Sequence, residues 1–327
     1  MMTSAIIETM RSELAAALPQ WNLSEHATLT FLSHSENTTF LAEDPFSGQR
    51  LVLRVQRIGY HAPAEIVSEL SWITALIADD VIATPRPLAD RDGLLLCSVQ
   101  LNGSMRQVVA FEYMSGYEPD QSGSLPSWFV KLGMLTAQLH RHSRSWTRPP
   151  AFQRKTWDFD AMLGTRPLWG DWRAALGLGN AERQLLQRVA DSLADRISTY
   201  GQQSERFGLV HADLRLANLL VDGERLGIID FDDCGFSWFF YDFAAAVSFM
   251  EHESVVAELQ EAWLQGYRTV ASVSKDDEAM LPVFVMLRRI LLTAWISSHS
   301  DTETARRLGT DHTHDTVAMG ERFLRGF

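Results

Sequence analysis

The chain has 327 residues, of which 46% are hydrophobic, 21% charged and 10% aromatic, and its formal charge is −12. This composition excludes a disordered, collagen-like or membrane-embedded chain, and the length suits two lobes. The acidic balance, with no Lys/Arg cluster, argues against nucleic acid as a partner. Residues 1–20 predict a helix closed by Pro19. The opening MMTSAIIETMRSELAAALPQW lacks a basic head followed by an unbroken apolar run, so no secretory signal is expected. With two unpaired cysteines, Cys97 and Cys234, it points to a cytoplasmic protein.

ATLTFLSHSENTTFLAE predicts a strand, a polar loop and a second strand, and SGQRLVLRVQR a third after the Ser47-Gly48 turn. Pro63 opens a helix with Ile66, Leu70, Ile73 and Ile77 on one face. GLLLCSVQ and RQVVAFEYM are two further strands. After Met114-Ser115-Gly116 the pattern turns helical, which divides the chain into 1–115 and 116–327. Helices are expected in LPSWFVKLGMLTAQLHRHS, in NAERQLLQRVADSLADRISTYG, and over most of the chain after Phe240. VFVMLRRILLTAW, interrupted by Arg288 and Arg289, predicts a buried helix and no membrane span. The fold class is α+β.

The stretch 208–243, GLVHADLRLANLLVDGERLGIIDFDDCGFSWFFYDF, carries the chemistry. Leu219–Val221 and Leu226–Ile229 flank Asp222-Gly223, a strong hairpin signal. Asn218 and Asp230 then lie at one open end of an antiparallel hairpin. The loop with His211 and Asp213 arrives at the same end. An Asp, an Asn five residues on, and an Asp after a hairpin is the pattern phosphoryl transfer requires. One carboxylate orients the attacking hydroxyl, while an amide oxygen and a second carboxylate hold Mg²⁺ on the phosphates. Ordinary turn capping is the bland alternative for these three residues.

HADLRLAN with IDFDD and YDFA resembles the aminoglycoside phosphotransferase family, which includes choline-kinase-like and homoserine-kinase-like enzymes and a bacterial stress-response kinase. The usual family loop is HGDLHxxN; Ala212 and Arg215 depart from it, while Asp213 and Asn218 keep it. The resemblance implies a two-lobed protein-kinase-like fold with the active site in a cleft. Residues 1–115 would form a nucleotide-binding lobe with a small antiparallel sheet. Residues 116–327 would form a larger, mostly helical catalytic and substrate-binding lobe.

It further implies Asp213 as catalytic base and Asn218 and Asp230 as metal ligands. Asp232 is either a third ligand or a solvated neighbour. SENTTF corresponds to the nucleotide loop, which places Ser35, Asn37 and Thr38 near the phosphates. LVLRV corresponds to the strand that usually carries the ATP-binding Lys, here Arg54. The following helix offers its Glu partner. At ~100° per residue Glu69 lies about 70° from the centre of the apolar stripe and Glu65 about 110°, so Glu69 is the expected partner. VVAFEYM corresponds to the adenine-binding hinge, at Glu112–Met114.

The implied reaction is Mg²⁺-dependent transfer of the γ-phosphoryl group of ATP or GTP to a small-molecule hydroxyl. The acceptor stays open among amino alcohol, amino acid, sugar and antibiotic. A protein Ser/Thr kinase and a nucleotide-binding pseudokinase are the alternatives, the latter because of Arg54. Asp242 is expected to brace the catalytic loop, and His211 to be a structural hydrogen-bonder. His140, His142, His312 and His314 are read as surface residues, and Cys234 as a buried thiol. The Trp-rich stretch 144–173 is read as packing or as a substrate wall.

Overall fold

The structure, a computed structural model, describes residues 4–34, 37–120, 125–300 and 302–326. By internal contacts the chain divides into two compact units. One is Met1–Ser115 with Arg148–Gln153, the other Gly116–Thr147 with Arg154–Phe327.

The first unit begins with α1 (Ser4–Ala17). Pro19, expected to close the helix, instead lies within a following 3-10 turn, Leu18–Trp21. Then come β1 (Thr28–His34), β2 (Thr38–Glu43), β3 (Arg50–Val55), α2 (Pro63–Ala78), β4 (Pro87–Leu88), β5 (Cys97–Leu101) and β6 (Ser104–Glu112). The strands form one antiparallel sheet in the order β1-β2-β3-β6-β4, with β5 also on β6. The two-residue β4 was not expected, since so short a strand has no readable alternation. Leu51, Leu53 and Val55 meet Phe40, Val108 and Ala110 in a core closed by Met10, Leu14 and Trp21. This alternation fixes which residues of β3 face α1 and which the other side of the sheet. In α2, Glu65 folds back to accept from the Ala62 N–H at 2.8 Å. That cap uses Glu65 locally.

The second unit contains α3 (Leu125–Ser145), α4 (Phe159–Met162), α5 (Asn180–Tyr200), β7 (Phe207–Val210), β8 (Leu219–Asp222), β9 (Arg225–Ile228), β10 (Gly235–Trp238), α6 (Tyr241–Ala246), α7 (Val256–Tyr267), α8 (Lys275–Ser298) and α9 (Glu303–Arg325). β8 and β9 form the expected hairpin, with Leu219 opposite Ile228 and Gly223 at φ 57° in the turn. Tyr117, just after the junction of the units, bridges to Val221 with N–H···O distances of 3.1 and 2.8 Å. β7 pairs antiparallel with β10, Gly235 opposite Val210. The residues before and after the hairpin are therefore pinned to each other. Trp157, Trp169 and Trp172 are buried and Trp157 packs edge-on against Trp169, which supports the packing reading of that stretch.

α8 is long and apolar enough to cross a membrane, yet 89% of its apolar window is buried inside the fold. Arg288 and Arg289 are buried in it. Arg289 pairs with Glu251 at 2.7 Å and donates to Thr316 Oγ1 and the His312 carbonyl.

The surface reading of the histidines is corrected for three of the four. His140, His142 and His312 are buried, and only His314 is exposed. His140 and His142 both fall inside because α3 packs against α7 on one side and β7 on another. Burial, reinforced by the Arg289 charge, holds the His312 imidazole down at about 3. An ordinary His titrates near ~6.5. As pH falls below that, the unfolded chain takes up a proton that the folded chain refuses. Stability therefore drops on acidification by roughly 1 kcal/mol per pH unit per such group. His312→Leu is expected to flatten the fall in unfolding free energy between pH 7 and 5, measured by urea titration. An unchanged slope would exclude His312 as its source.

Candidate active site

The sequence HADLRLAN leaves β7 at Val210 and cannot continue as a strand, because Ala212 adopts φ 67°. A left-handed conformation costs a non-glycine residue about 1–2 kcal/mol and needs external support. The fully buried Asp242 supplies it. Its Oδ1 accepts from the Ala212 N–H at 2.7 Å and its Oδ2 from the His211 N–H at 3.2 Å. His140 Nε2 lies 3.0 Å from the same Oδ2. A carboxylate only accepts, so Nε2 carries the imidazole proton and Nδ1 receives the Tyr267 hydroxyl at 3.0 Å. Burial lowers the His140 pKa against the opposing pull of Asp242, which keeps the ring neutral. His211 in turn reaches across to the Ile229 carbonyl at 3.1 Å, which ties the loop to the end of the hairpin.

Asp213 follows with its carboxylate turned into a ring of donors. Arg288 Nη2 donates to Oδ1 at 2.7 Å, Arg215 Nε to Oδ2 at 3.1 Å, and Asn218 Nδ2 to Oδ2 at 2.8 Å. Burial alone would raise the Asp213 pKa. The Arg215 and Arg288 charges outweigh it, with help from His211, and hold the carboxyl below the usual range. Asp213 is ionised at neutral pH.

Asn218, buried, closes a single 3-10 turn, and its carbonyl accepts from Ile229 N at 2.9 Å. Because its amide nitrogen is on Asp213, its amide oxygen faces the other way. Asp230 is exposed at φ 62°, two residues past β9. Asp232 is buried, and Arg154 donates to its carbonyl and, at 2.6 Å, to that of Cys234. Trp157 Nε1 donates to the Asp233 carbonyl at 2.8 Å. The loop 230–234 is thus clamped by side chains from 154–157, and Cys234 is a buried thiol.

In the first unit, Arg54 and Glu69 meet as a bidentate pair. Nη1 to Oε1 is 2.9 Å and Nη2 to Oε2 is 2.7 Å, with side-chain exposures of 6% and 0%. Helix phase decides the partner: Glu65 is engaged by its own cap. Asn37 is buried and accepts from the Arg57 N–H at 3.0 Å, and Thr38 Oγ1 meets His34 Nδ1 at 3.0 Å. The Thr38–His34 contact joins the ends of β1 and β2, while Asn37 ties the start of β2 to the segment just past β3. Ser35 lies outside the described residues. Glu112 ends β6 with an exposed side chain facing Arg86 at 3.8 Å, and Met114 follows two residues later, half-buried.

Arg288, Arg154 and Tyr241 escaped the sequence reading as site residues. A signal existed for Arg288. A guanidinium inside a long apolar run must find anionic or carbonyl partners if that run is buried.

A family model, the phosphotransferase enzyme family (APH), matches residues 28–273. The chain belongs to that family. It is similar to amicoumacin kinase of Bacillus subtilis strain 168, 24% identical over 89% of this chain and 86% of that one. It is also similar to a solved microcompartment-associated aminopropanol kinase. That likeness has TM-score 0.89 and 44% identity, and covers 96% of this chain and 97% of the other. An amicoumacin kinase solved with AMP-PNP and Ca²⁺ superposes at TM-score 0.77 with 20% identity, over 98% and 95% of the two chains. The protein has the protein-kinase-like α+β fold and is a phosphotransferase.

The Arg54–Glu69 pair generates a stability test. Removing one member of a buried pair strands the other charge, at a cost of about 3–5 kcal/mol, whereas replacing both by apolar groups is far milder. Arg54→Met should lower unfolding free energy by that amount, and Arg54→Met with Glu69→Leu should recover most of it. Urea melts of the three proteins read this directly. Additive losses would mean that the two side chains do not act as a pair.

Proposed function

We propose that this phosphotransferase moves the γ-phosphoryl group of ATP or GTP to the hydroxyl of a small amino alcohol, with Asp213 as the catalytic base. The observation that carries the reading is the Asp213 carboxylate, kept ionised by two guanidinium groups and bonded to Asn218. A depressed pKa makes a weak proton acceptor. It suits phosphoryl transfer, whose loose transition state asks the carboxylate chiefly to orient the nucleophile. The 44%-identical aminopropanol kinase supports an amino alcohol as acceptor.

Residues 1–115 are assigned as the nucleotide-binding lobe and 116–327 as the catalytic and substrate-binding lobe. Ser35, Asn37 and Thr38 are assigned to the phosphates, Arg54 to a phosphate contact oriented by Glu69, and the backbone of Glu112–Met114 to the adenine. The Asn218 amide oxygen and the carboxylates of Asp230 and Asp232 form an all-oxygen donor set, which fits a hard divalent cation. Mg²⁺ bound there neutralises charge on the phosphates. A guanidinium where Lys is usual favours a second reading, a pseudokinase, because Arg54 already spends its fork on Glu69.

The test is nucleotide consumption by the purified protein with Mg²⁺ and ATP or GTP, against a panel of aminopropanol, choline and homoserine. Turnover with the amino alcohol is expected. A Mg²⁺-dependent thermal shift without turnover on any acceptor would favour the pseudokinase, and absence of both would overturn the reading. Asp213→Asn should lower kcat by about 10²–10⁴-fold while the nucleotide KM stays within a few-fold. Saturating Mg-nucleotide should stabilise the wild type by about 2–3 kcal/mol. Asp230→Ala should abolish that stabilisation, read as the nucleotide-dependent change in Tm.

A further inference from the structure

We infer that Arg288 is a positioning residue that aims Oδ1 of Asp213, and that this oxygen and not Oδ2 meets the acceptor hydroxyl. The inference rests on the reading of Asp213 as the base, and it starts from how Arg288 is held. It lies in the middle of α8, 2% exposed, where an uncompensated guanidinium would be prohibitive. Its donors are distributed over four groups. Nε donates to Ser248 Oγ at 3.0 Å, Nη1 to the Tyr241 hydroxyl at 3.0 Å and the Ala212 carbonyl at 3.3 Å, and Nη2 to Asp213 Oδ1 at 2.7 Å. The guanidinium also lies 5.1 Å from the Trp169 ring centroid. A planar fork fixed at this many points has no freedom to swing.

The carboxylate oxygens are unequal. Each accepts about two hydrogen bonds. Oδ2 already receives Arg215 and Asn218. Among the described residues, Oδ1 receives Arg288 alone. The acceptor position left is therefore on Oδ1, beside the bond that Arg288 makes. Arg215 is far more exposed than Arg288, with side-chain exposures of 30% and 2%. Arg288 also grips the carbonyl of Ala212, the left-handed residue directly before Asp213, so one side chain sets both the backbone and the carboxylate.

In the step this serves, the hydroxyl oxygen bonds to the γ-phosphorus as its proton passes to Oδ1. The bond from phosphorus to the bridging oxygen breaks, and its electron pair leaves on the nucleoside diphosphate.

The test compares steady-state kinetics of wild type, Arg288→Lys and Arg215→Ala with Mg-ATP and aminopropanol, alongside the nucleotide-dependent shift in Tm. Arg288→Lys keeps the charge and loses the fork. Its kcat should fall about 10–100-fold, since misplacing a reacting group by about 1 Å has effects of this order. Its KM values and nucleotide-dependent shift should stay within threefold. Arg215→Ala should lose less kcat than Arg288→Lys. If Arg288→Lys loses its cooperative melt, the Tyr241→Phe, Ser248→Ala double variant replaces it, with the same split between kcat and KM expected. Wild-type turnover with kcat unchanged in these variants overturns the positioning role and leaves the phosphotransferase reading intact. Absence of turnover in the wild type overturns both.

Discussion

A carboxylate with no access to water, that of Asp242, holds the turn at His211 and Ala212 in place. Burying such a group costs several kcal/mol unless its lone pairs are filled. They are filled by the His211 and Ala212 amides and the His140 ring. Those donors belong to the turn that has to be forced into a left-handed conformation. The need to satisfy Asp242 and the need to strain Ala212 therefore meet in the same hydrogen bonds. Each of the next supports builds on that turn: His211 to Ile229, Asn218 to Asp213, and Arg288 to the Ala212 carbonyl.

The two units handle buried charge differently. In the first, Arg54 and Glu69 satisfy one another through two parallel bonds, a geometry that a lysine could not reproduce. In the second, charges are shared through a network: Asp213 is served by three side chains, and Arg288 serves four groups. A pair resists perturbation until one member is lost. A network passes a disturbance at any member to the orientation of Asp213.

What could be read in advance was local. The β8–β9 hairpin, the five-residue step from Asp213 to Asn218 and the helical phase of Glu69 follow from turn chemistry and periodicity within short windows. So does the order of five of the six strands of the sheet. The sixth, β4, is two residues long and begins with Pro87, so no pattern announced it. The β7–β10 ladder joins two four-residue strands across the hairpin between them, and local alternation says nothing of such pairing. His140 was misjudged because helix phase reports on one helix and not on how many neighbours surround it. The bond from Arg288 to Asp213 spans 75 residues. No local pattern specifies its partner, although charge within an apolar run signals that a partner must exist.

That span has a consequence for how the molecule comes into being. On a ribosome the hairpin and the HADLRLAN loop emerge, and can pair locally, well before α8 exists. Until α8 docks, Ala212 lacks one of its restraints and the Asp213 carboxylate lacks the donor on Oδ1. Long-range contacts of this kind form late, because closing a long loop costs entropy before the contact repays it. The open end of the hairpin, with the loop that meets it, is therefore among the last parts of the second unit to reach its final geometry. The HADLRLAN turn takes its final form when α8 docks on it, and not when its own residues are translated.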